Sequence, residues 1–237
     1  MQDPSAPTPP ATAPQPSAGH VAVDPVIAAP VPSGGLDAPA ARRNAEPFLR
    51  VLLTELAATG TVVEIGSGTG QHAAAFAGAV RPRRWLPTET AAERLESIVA
   101  WSSLLPTEGP RPLPPRRLDA ATRPESWPLS DIGPAAGMVS ANVIHIAPRT
   151  VALGILAGAA RWLPPGAPLI LYGPFHRDGR STSPGNTAFD AELRSRDPSW
   201  GIRDLERDIV PAAETVGLTL AATHPMPANN HCVVFRR

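Results

Sequence analysis

Glycine stands at every second position of the stretch EIGSGTG (64–70), which follows a short apolar run and begins with the acid Glu64. Glycines in a turn let the backbone take positive φ angles and approach a ligand without a Cβ clash. In open α/β sheets the first turn from strand to helix is the usual cradle for a nucleotide cofactor. The spacing of Gly66, Gly68 and Gly70 therefore predicts a cofactor-binding loop.

Two common classes of glycine loop do not fit this stretch. Dinucleotide-binding turns run Gly-x-Gly-x-x-Gly, a spacing that fails here at the third glycine. The phosphate-binding loops of nucleotide hydrolases end in Gly-Lys-Ser/Thr, and this chain contains no lysine. The spacing also disfavours a nicotinamide-dependent oxidoreductase.

Polar side chains follow the next three predicted strands. Glu89 ends the second strand, Asp119 the third and Asn142 the fourth. A carboxylate at the position of Glu89 can accept hydrogen bonds from both hydroxyls of a ribose. Taken singly, Glu89 could instead be a favourable charge at a helix N-terminus, and Asp119 could be an N-cap. Because parallel strands end at one edge of a sheet, the three together predict a single pocket.

The elements that would position these residues alternate between strand and helix, which predicts a parallel sheet with helices on both faces. Near the C-terminus, LTLAATHPM (218–226) and HCVVFRR (231–237) are two strand patterns joined by the turn-forming PANN. We expect them to form an antiparallel edge hairpin. The predicted fold class is α/β: a Rossmann-like, mostly parallel seven-stranded sheet with an antiparallel C-terminal edge hairpin.

The chain divides into an N-terminal tail and one domain. Residues 1–38 are rich in Pro and Ala and poor in large apolar side chains, so we expect a disordered tail. Residues 39–237 form the domain. A protein partner that binds the tail is conceivable, but no motif in the tail supports one.

Composition excludes several function classes among those we weighed. The 21 basic and 21 acidic residues give no net field that would attract nucleic acid or an anionic membrane. The single Cys232 rules out internal disulfides and a zinc site of paired thiols, and the histidine spacing predicts no metal ligation. No apolar run is long enough to span a bilayer, and no signal peptide is recognisable. We expect a cytoplasmic protein without nucleic-acid or membrane partners.

Several stretches resemble the DUF938 family of class I methyltransferase-like proteins. They are RRNAEPFL (42–49), EIGSGTGQH (64–72), NVIHIAP (142–148), the long segment 172–204 and MPANN (226–230). The resemblance implies a class I methyltransferase fold that binds S-adenosyl-L-methionine (SAM). The cofactor-binding residues it implies are Glu64, Gly66, Ser67, Gly68, Gly70, Gln71, Glu89, Asp119 and Asn142.

For the chemistry, we predict in-line methyl transfer to a small-molecule acceptor. The donor is already activated, so the enzyme mainly has to hold the acceptor in line, and a base is needed only for a protonated acceptor. His145 is the candidate base or acceptor contact; alternatively, it only hydrogen-bonds a loop. The alternative function is a non-catalytic module that binds SAM or S-adenosylhomocysteine (SAH), or a scaffold with this fold.

The predicted acceptor-binding residues lie mostly in the polar and aromatic segment that follows the fifth strand, where substrate-recognition loops are common. An internal structural network is the alternative for this segment, and a turn role is the alternative for Asn229. The candidates are Asn44, Tyr172, Phe175, Asn186, Phe189, Trp200, Arg203 and Asn229.

Overall fold

The computed structural model describes residues 22–237, and in this range the strands form one seven-stranded sheet. Its order is β3-β2-β1-β4-β5-β7-β6. The strands are β1 Thr61–Ile65, β2 Arg84–Glu89, β3 Arg116–Arg117, β4 Ala135–Ala141, β5 Pro168–Pro174, β6 Thr219–Met226 and β7 Asn230–Arg236.

Helices cover both faces of the sheet. The α-helices are α1 Pro39–Glu55, α2 Gln71–Phe76, α3 Ala92–Ser103, α4 Arg149–Trp162, α5 Pro184–Arg196 and α6 Val210–Thr215. Short 3₁₀ turns occupy Pro25–Ala28, Pro124–Ser126, Val143–His145 and Pro227–Asn229, and one π-helical turn spans Leu205–Ile209.

The predicted sheet is confirmed, including its C-terminal hairpin. Strands β1 to β5 pair in parallel, whereas β7 is antiparallel to both β5 and β6. The pattern RRLDAAT (116–122) predicts a longer third strand than the two residues of β3. The chain turns at Asp119 instead, where the side chain accepts from the Ala121 N–H at 2.8 Å and the carbonyl accepts from the Thr122 N–H at 3.1 Å.

The sheet separates two apolar cores, and β1 contributes to both. Val63 and Ile65 face the core under α4 and α6, while Val62 faces the core under α1 and α2. All five residues of β1 are buried, as expected for a central parallel strand. The carboxyl end of β1, where the glycine loop starts, is therefore held from both sides.

The structure differs from the prediction that residues 1–38 form a disordered tail. Residues 22–38 lie on the domain: Val26 is only 7% exposed, and the N–H of Leu36 donates to the Ser97 hydroxyl at 2.8 Å. Polar side chains of the domain hold the backbone of this segment in place of a large apolar surface of its own. Composition alone does not reveal that kind of anchoring. The rest of the predicted tail, residues 1–21, lies outside the described residues.

No helix among residues 22–237 is long and apolar enough to cross a membrane.

Gly158 on α4 gives a stability prediction. A Cβ on Gly158 would lie 1.9 Å from Cη2 of Trp127, so helix and indole can pack only with glycine at this position. Gly158→Ala should lower the free energy of unfolding by about 1–3 kcal/mol through overpacking, although alanine normally favours a helix. Chemical denaturation measures the change.

The matched control is Gly185→Ala near the start of α5, where the nearest atom to the new Cβ would be Ser183 Oγ at 3.8 Å. This variant should be neutral or slightly stabilising. If both variants gave the same change in unfolding free energy, the packing of Trp127 on α4 would be wrong.

Candidate cofactor site

A cavity of about 790 Å³ opens beyond the carboxyl ends of β1, β2 and β4. Its position is the one expected for a ligand site in an open α/β sheet. The walls come from the glycine loop, the ends of β2 and β4, the start of α3 and the N-terminal residues 36–44. They include Leu36, Asp37, Ala38, Asn44, Glu64, Gly66, Ser67, Gly68, His72, Glu89, Arg94, Asp119, Asn142, Val143, Ile146 and Trp200.

The three glycines of the loop all have positive φ angles, and their roles differ. A Cβ on Gly66 would lie 2.5 Å from Cγ2 of Val143, and one on Gly70 would lie 2.6 Å from Cα of Ile98. These two glycines permit tight packing behind the loop. A Cβ on Gly68 would meet only Nη1 of Arg94, at 3.8 Å. Gly68 therefore presents bare backbone towards the cavity.

Glu89 joins the end of β2 to this loop. One carboxylate oxygen accepts from the Gly68 N–H at 2.9 Å, and the other accepts from the Thr90 N–H at 2.7 Å. The side chain is only 7% exposed. The glycine loop after β1 and the acid at the end of β2 are thus in direct contact.

Glu64 forms the floor of the cavity and is almost completely buried. Its Oε2 accepts a hydrogen bond from Trp85 Nε1 at 2.9 Å. Burial is the main influence and raises the pKa of Glu64 to about 7, although the Trp85 bond acts in the opposite direction. This acid is therefore poised between its neutral and charged forms near neutral pH.

Three more of the predicted cofactor residues, Ser67, Asp119 and Asn142, also line the cavity. The Ser67 hydroxyl accepts from the Thr88 N–H at 3.1 Å. Asp119 is exposed, and Asn142 has a left-handed backbone with φ 62°. The predicted Gly70 and Gln71 lie behind the loop instead. Gln71 is 1% exposed, and its side-chain oxygen accepts hydrogen bonds from the Ala38 N–H and the Thr69 hydroxyl.

The structure does not place His145 at the cavity. Its side chain is fully buried, and Nδ1 accepts a hydrogen bond from the Arg203 N–H at 3.2 Å. Burial first, and then the charge of Arg203, lower the pKa of His145 to about 3. An enclosed imidazole that is so hard to protonate is unsuited to act as a base, so the structural role is the better assignment.

Of the predicted acceptor-binding residues, the structure brings Asn44 and Trp200 to the cavity. Arg203 does not line the cavity. Its guanidinium donates to the carbonyls of Ile144, Ala147 and Ser199 at 2.7–2.9 Å. It thereby clamps the loop of Trp200 against the turn after β4. For Arg203 the geometry favours the structural alternative.

The remaining candidates lie away from the cavity lining. Tyr172 packs against Phe48 with ring centroids 5.0 Å apart, and Phe175 contacts His145 edge-on. The Asn186 amide donates to Thr182 Oγ1 and to the Asn229 carbonyl, while Asn229 has φ 56° as its turn requires. Phe189 is 37% exposed on α5.

The predicted Asn44 is paired at the cavity with His72, a residue that the sequence did not single out as a site residue. His72 Nε2 lies 2.8 Å from Asn44 Oδ1 and 3.2 Å from the Ala41 carbonyl, and since both are acceptors this nitrogen carries the proton. Burial lowers the pKa of His72 to about 4, so the imidazole is neutral. Asn44 lies one helical turn before the apolar Phe48, a spacing that places both on the same face of α1.

Within residues 22–237 no group of three or more His, Cys, Asp or Glu side chains is arranged to hold a metal ion.

The model of the protein family DUF938, described as a protein of unknown function, matches residues 36–237. The chain belongs to the DUF938 family. The match begins at Leu36, within the segment that the structure packs onto the domain and before the predicted domain boundary. The resemblance inferred from the sequence motifs is thereby confirmed.

Solved structures similar to this DUF938 protein include methyltransferases. An O-methyltransferase family 2 protein from Planctomyces limnophilus DSM 3776, in complex with apigenin, has TM-score 0.70 and 17% identity over 84% of this chain and 58% of that one. The mitomycin 7-O-methyltransferase MmcR has TM-score 0.62 and 21% identity over 85% and 58%. LepI in complex with SAM has TM-score 0.59 and 19% identity over 79% and 46%.

This chain thus spans about half the length of these proteins. At such identities the similarity establishes the shared fold, and it confirms the predicted fold class.

The buried acid gives a pH prediction. The pKa of Glu64 rises from 4.5 to about 7 on folding, so its contribution to stability is complete below pH 4.5 and is lost as pH rises to about 7. Glu64→Gln keeps an acceptor for Trp85 and removes the titration. The unfolding free energy of the variant minus that of wild type should therefore increase between these pH values, by about 3 kcal/mol.

Urea denaturation without ligand across this pH range measures the difference. Glu96→Gln, which changes an exposed carboxyl on α3, is the control. A difference that stays flat with pH for Glu64→Gln would contradict the burial of this acid.

Proposed function

We propose that this DUF938 protein is a SAM-dependent methyltransferase acting on a small-molecule acceptor. The observation that carries the proposal is the contact between the bare backbone of Gly68 and the carboxylate of Glu89 at the edge of a 790 Å³ cavity. A nucleoside needs both features, since its sugar must approach backbone closely and its hydroxyls need an acceptor.

The lining residues fit the cofactor along the length of the cavity. Gly66 and Gly68 would receive the amino-acid end and the ribose on bare backbone, and Glu89 would accept from the ribose hydroxyls. Asp119, at the end of β3, would face the adenine. Bound there, SAM supplies an activated methyl group. Among the similar structures, LepI is in complex with SAM and the family 2 protein with apigenin, which agrees with a small-molecule acceptor.

The residues of the chain would act mainly by positioning. Asn142 and Asn44 offer amide groups on the cavity wall, and Trp200 offers an aromatic one. Holding an acceptor atom in line with the donor accounts for most of the rate in a displacement of this kind. His145 is enclosed, and His72 is a neutral imidazole whose Nε2–H is already engaged. We therefore assign neither histidine as a general base and favour an acceptor that is nucleophilic without one.

The alternative is a module that binds SAM or SAH without catalysis. His72 lines the cavity, and its pKa of about 4 makes it a poor proton acceptor, so an acceptor that binds in protonated form would find no imidazole base there. Incubation with methyl-labelled SAM and fractionated cell extract separates the two functions. Label in a small molecule supports the enzyme, whereas tight binding without transfer to any fraction supports the module.

The proposed partners and location follow from the same features. We propose a small-molecule substrate, no nucleic-acid or membrane partner, and a cytoplasmic location. Zero formal net charge supports the first exclusion, and the free, buried thiol of Cys232 is compatible with a reducing compartment.

Gly68→Arg tests the cavity directly. The new side chain would enter open space where the nucleoside is proposed to lie, so calorimetric titration should show binding of SAH by wild type and none by the variant. Gly217→Arg is the matched control, since Gly217 also has positive φ, at 80°, with no atom within 4 Å of a new Cβ. The control shares the backbone strain and should retain binding.

Wild type that gives no binding heat with millimolar SAH would contradict the proposed function. Equal loss of affinity in both arginine variants would show that strain, and not occupation of the cavity, causes the effect.

A further inference from the structure

The N-terminal segment, residues 22–38, forms one wall of the cavity. Leu36, Asp37 and Ala38 line it directly. The segment is held in this position by hydrogen bonds to residues that also support the glycine loop. Its position and that of the loop are therefore linked through shared partners.

Ser97 on α3 is the first shared partner. Its hydroxyl oxygen accepts from the Leu36 N–H at 2.8 Å and donates to the Thr69 carbonyl, also at 2.8 Å. Ser97 is fully buried, so water cannot readily replace either bond. One hydroxyl thus spans the gap between the N-terminal segment and the glycine loop.

Gln71 at the start of α2 is the second shared partner. Its Oε1 accepts from the Ala38 N–H at 2.7 Å and from the Thr69 hydroxyl at 2.9 Å. Its Nε2 donates to a carboxylate oxygen of Asp37 at 3.2 Å. These three hydrogen bonds join the side chain to Asp37 and Ala38 of the N-terminal segment and to Thr69 of the glycine loop.

The rest of the segment is anchored to the same two helices. Trp101 on α3 is fully buried and donates from Nε1 to the Leu36 carbonyl at 2.8 Å. Val26 joins the apolar core beneath α1 and α2, and the Asp24 N–H donates to the Ala75 carbonyl at 3.4 Å. The segment is therefore anchored to the domain near both of its ends.

We infer that residues 22–38 are a working part of the cofactor site, with Ser97 and Gln71 as positioning residues that couple this segment to the glycine loop. The inference rests on the proposed function, because it assumes that the cavity receives SAM or SAH. It adds that a ligand bound at the glycine loop stabilises the N-terminal segment, and that loss of the coupling lowers the affinity for the ligand.

Hydrogen–deuterium exchange of the full chain with and without SAH is the first test. We expect saturating SAH to slow amide exchange both in the glycine loop, residues 66–70, and in residues 22–38. A purely structural attachment would leave the exchange of residues 22–38 unchanged by ligand. That result, with protection at the glycine loop, would overturn the inference.

A pair of serine variants on α3 is the second test. Ser97→Ala removes both bonds of the shared hydroxyl and should raise the SAH dissociation constant about tenfold, as expected for hydrogen bonds of this kind. Ser102→Ala is the matched control, because the Ser102 hydroxyl only donates to the Ile98 carbonyl within the same helix. The control should bind SAH as wild type does.

The outcomes separate this inference from the proposed function. Binding by wild type with equal affinity in both serine variants overturns the coupling and leaves the proposed function intact. No binding by wild type overturns both. If Ser97→Ala fails to fold, the exchange experiment on the wild-type chain decides alone.

Discussion

The hydrogen bond from the Gly68 N–H to the Glu89 carboxylate is the contact on which the site depends. It fixes the end of β2 to the turn after β1, and it keeps a bare stretch of backbone open to the cavity. The flanking glycines make this possible, since Gly66 and Gly70 allow Val143 and Ile98 to pack tightly behind the loop. The part of the cavity beside Gly68 is thus shaped by backbone.

Buried polar groups around this contact serve the site at some expense to stability. Glu64 is buried beneath the loop, and its pKa is raised to about 7. Ser97 and Gln71 form hydrogen bonds with the backbone of the glycine loop and of the N-terminal segment. Unsatisfied or isolated polar groups in such positions would each lose roughly 1–3 kcal/mol, so each needs its partner. The domain fixes the cavity through this network, while the two apolar cores on either side of the sheet hold the strands.

The sequence predicted the sheet, and it singled out several residues that line the cavity, because those features are local. Alternation of strand and helix, glycine spacing and polar residues at strand ends each occupy a few consecutive positions. It was wrong about residues 22–38 because their order depends on Ser97, Gln71 and Trp101, which are far away in the chain. It placed His145 at the cavity because proximity to Asn142 along the chain does not reveal that a 3₁₀ turn directs the imidazole into the interior.

The central claim is that the cavity beside the glycine loop holds the nucleoside of SAM. A crystal structure of the full chain grown with SAH tests it most directly. The account predicts ribose hydroxyls within about 3 Å of the Glu89 carboxylate and the sugar against Gly68. Density for the nucleoside elsewhere, or a cavity filled by protein side chains at saturating SAH, would contradict it.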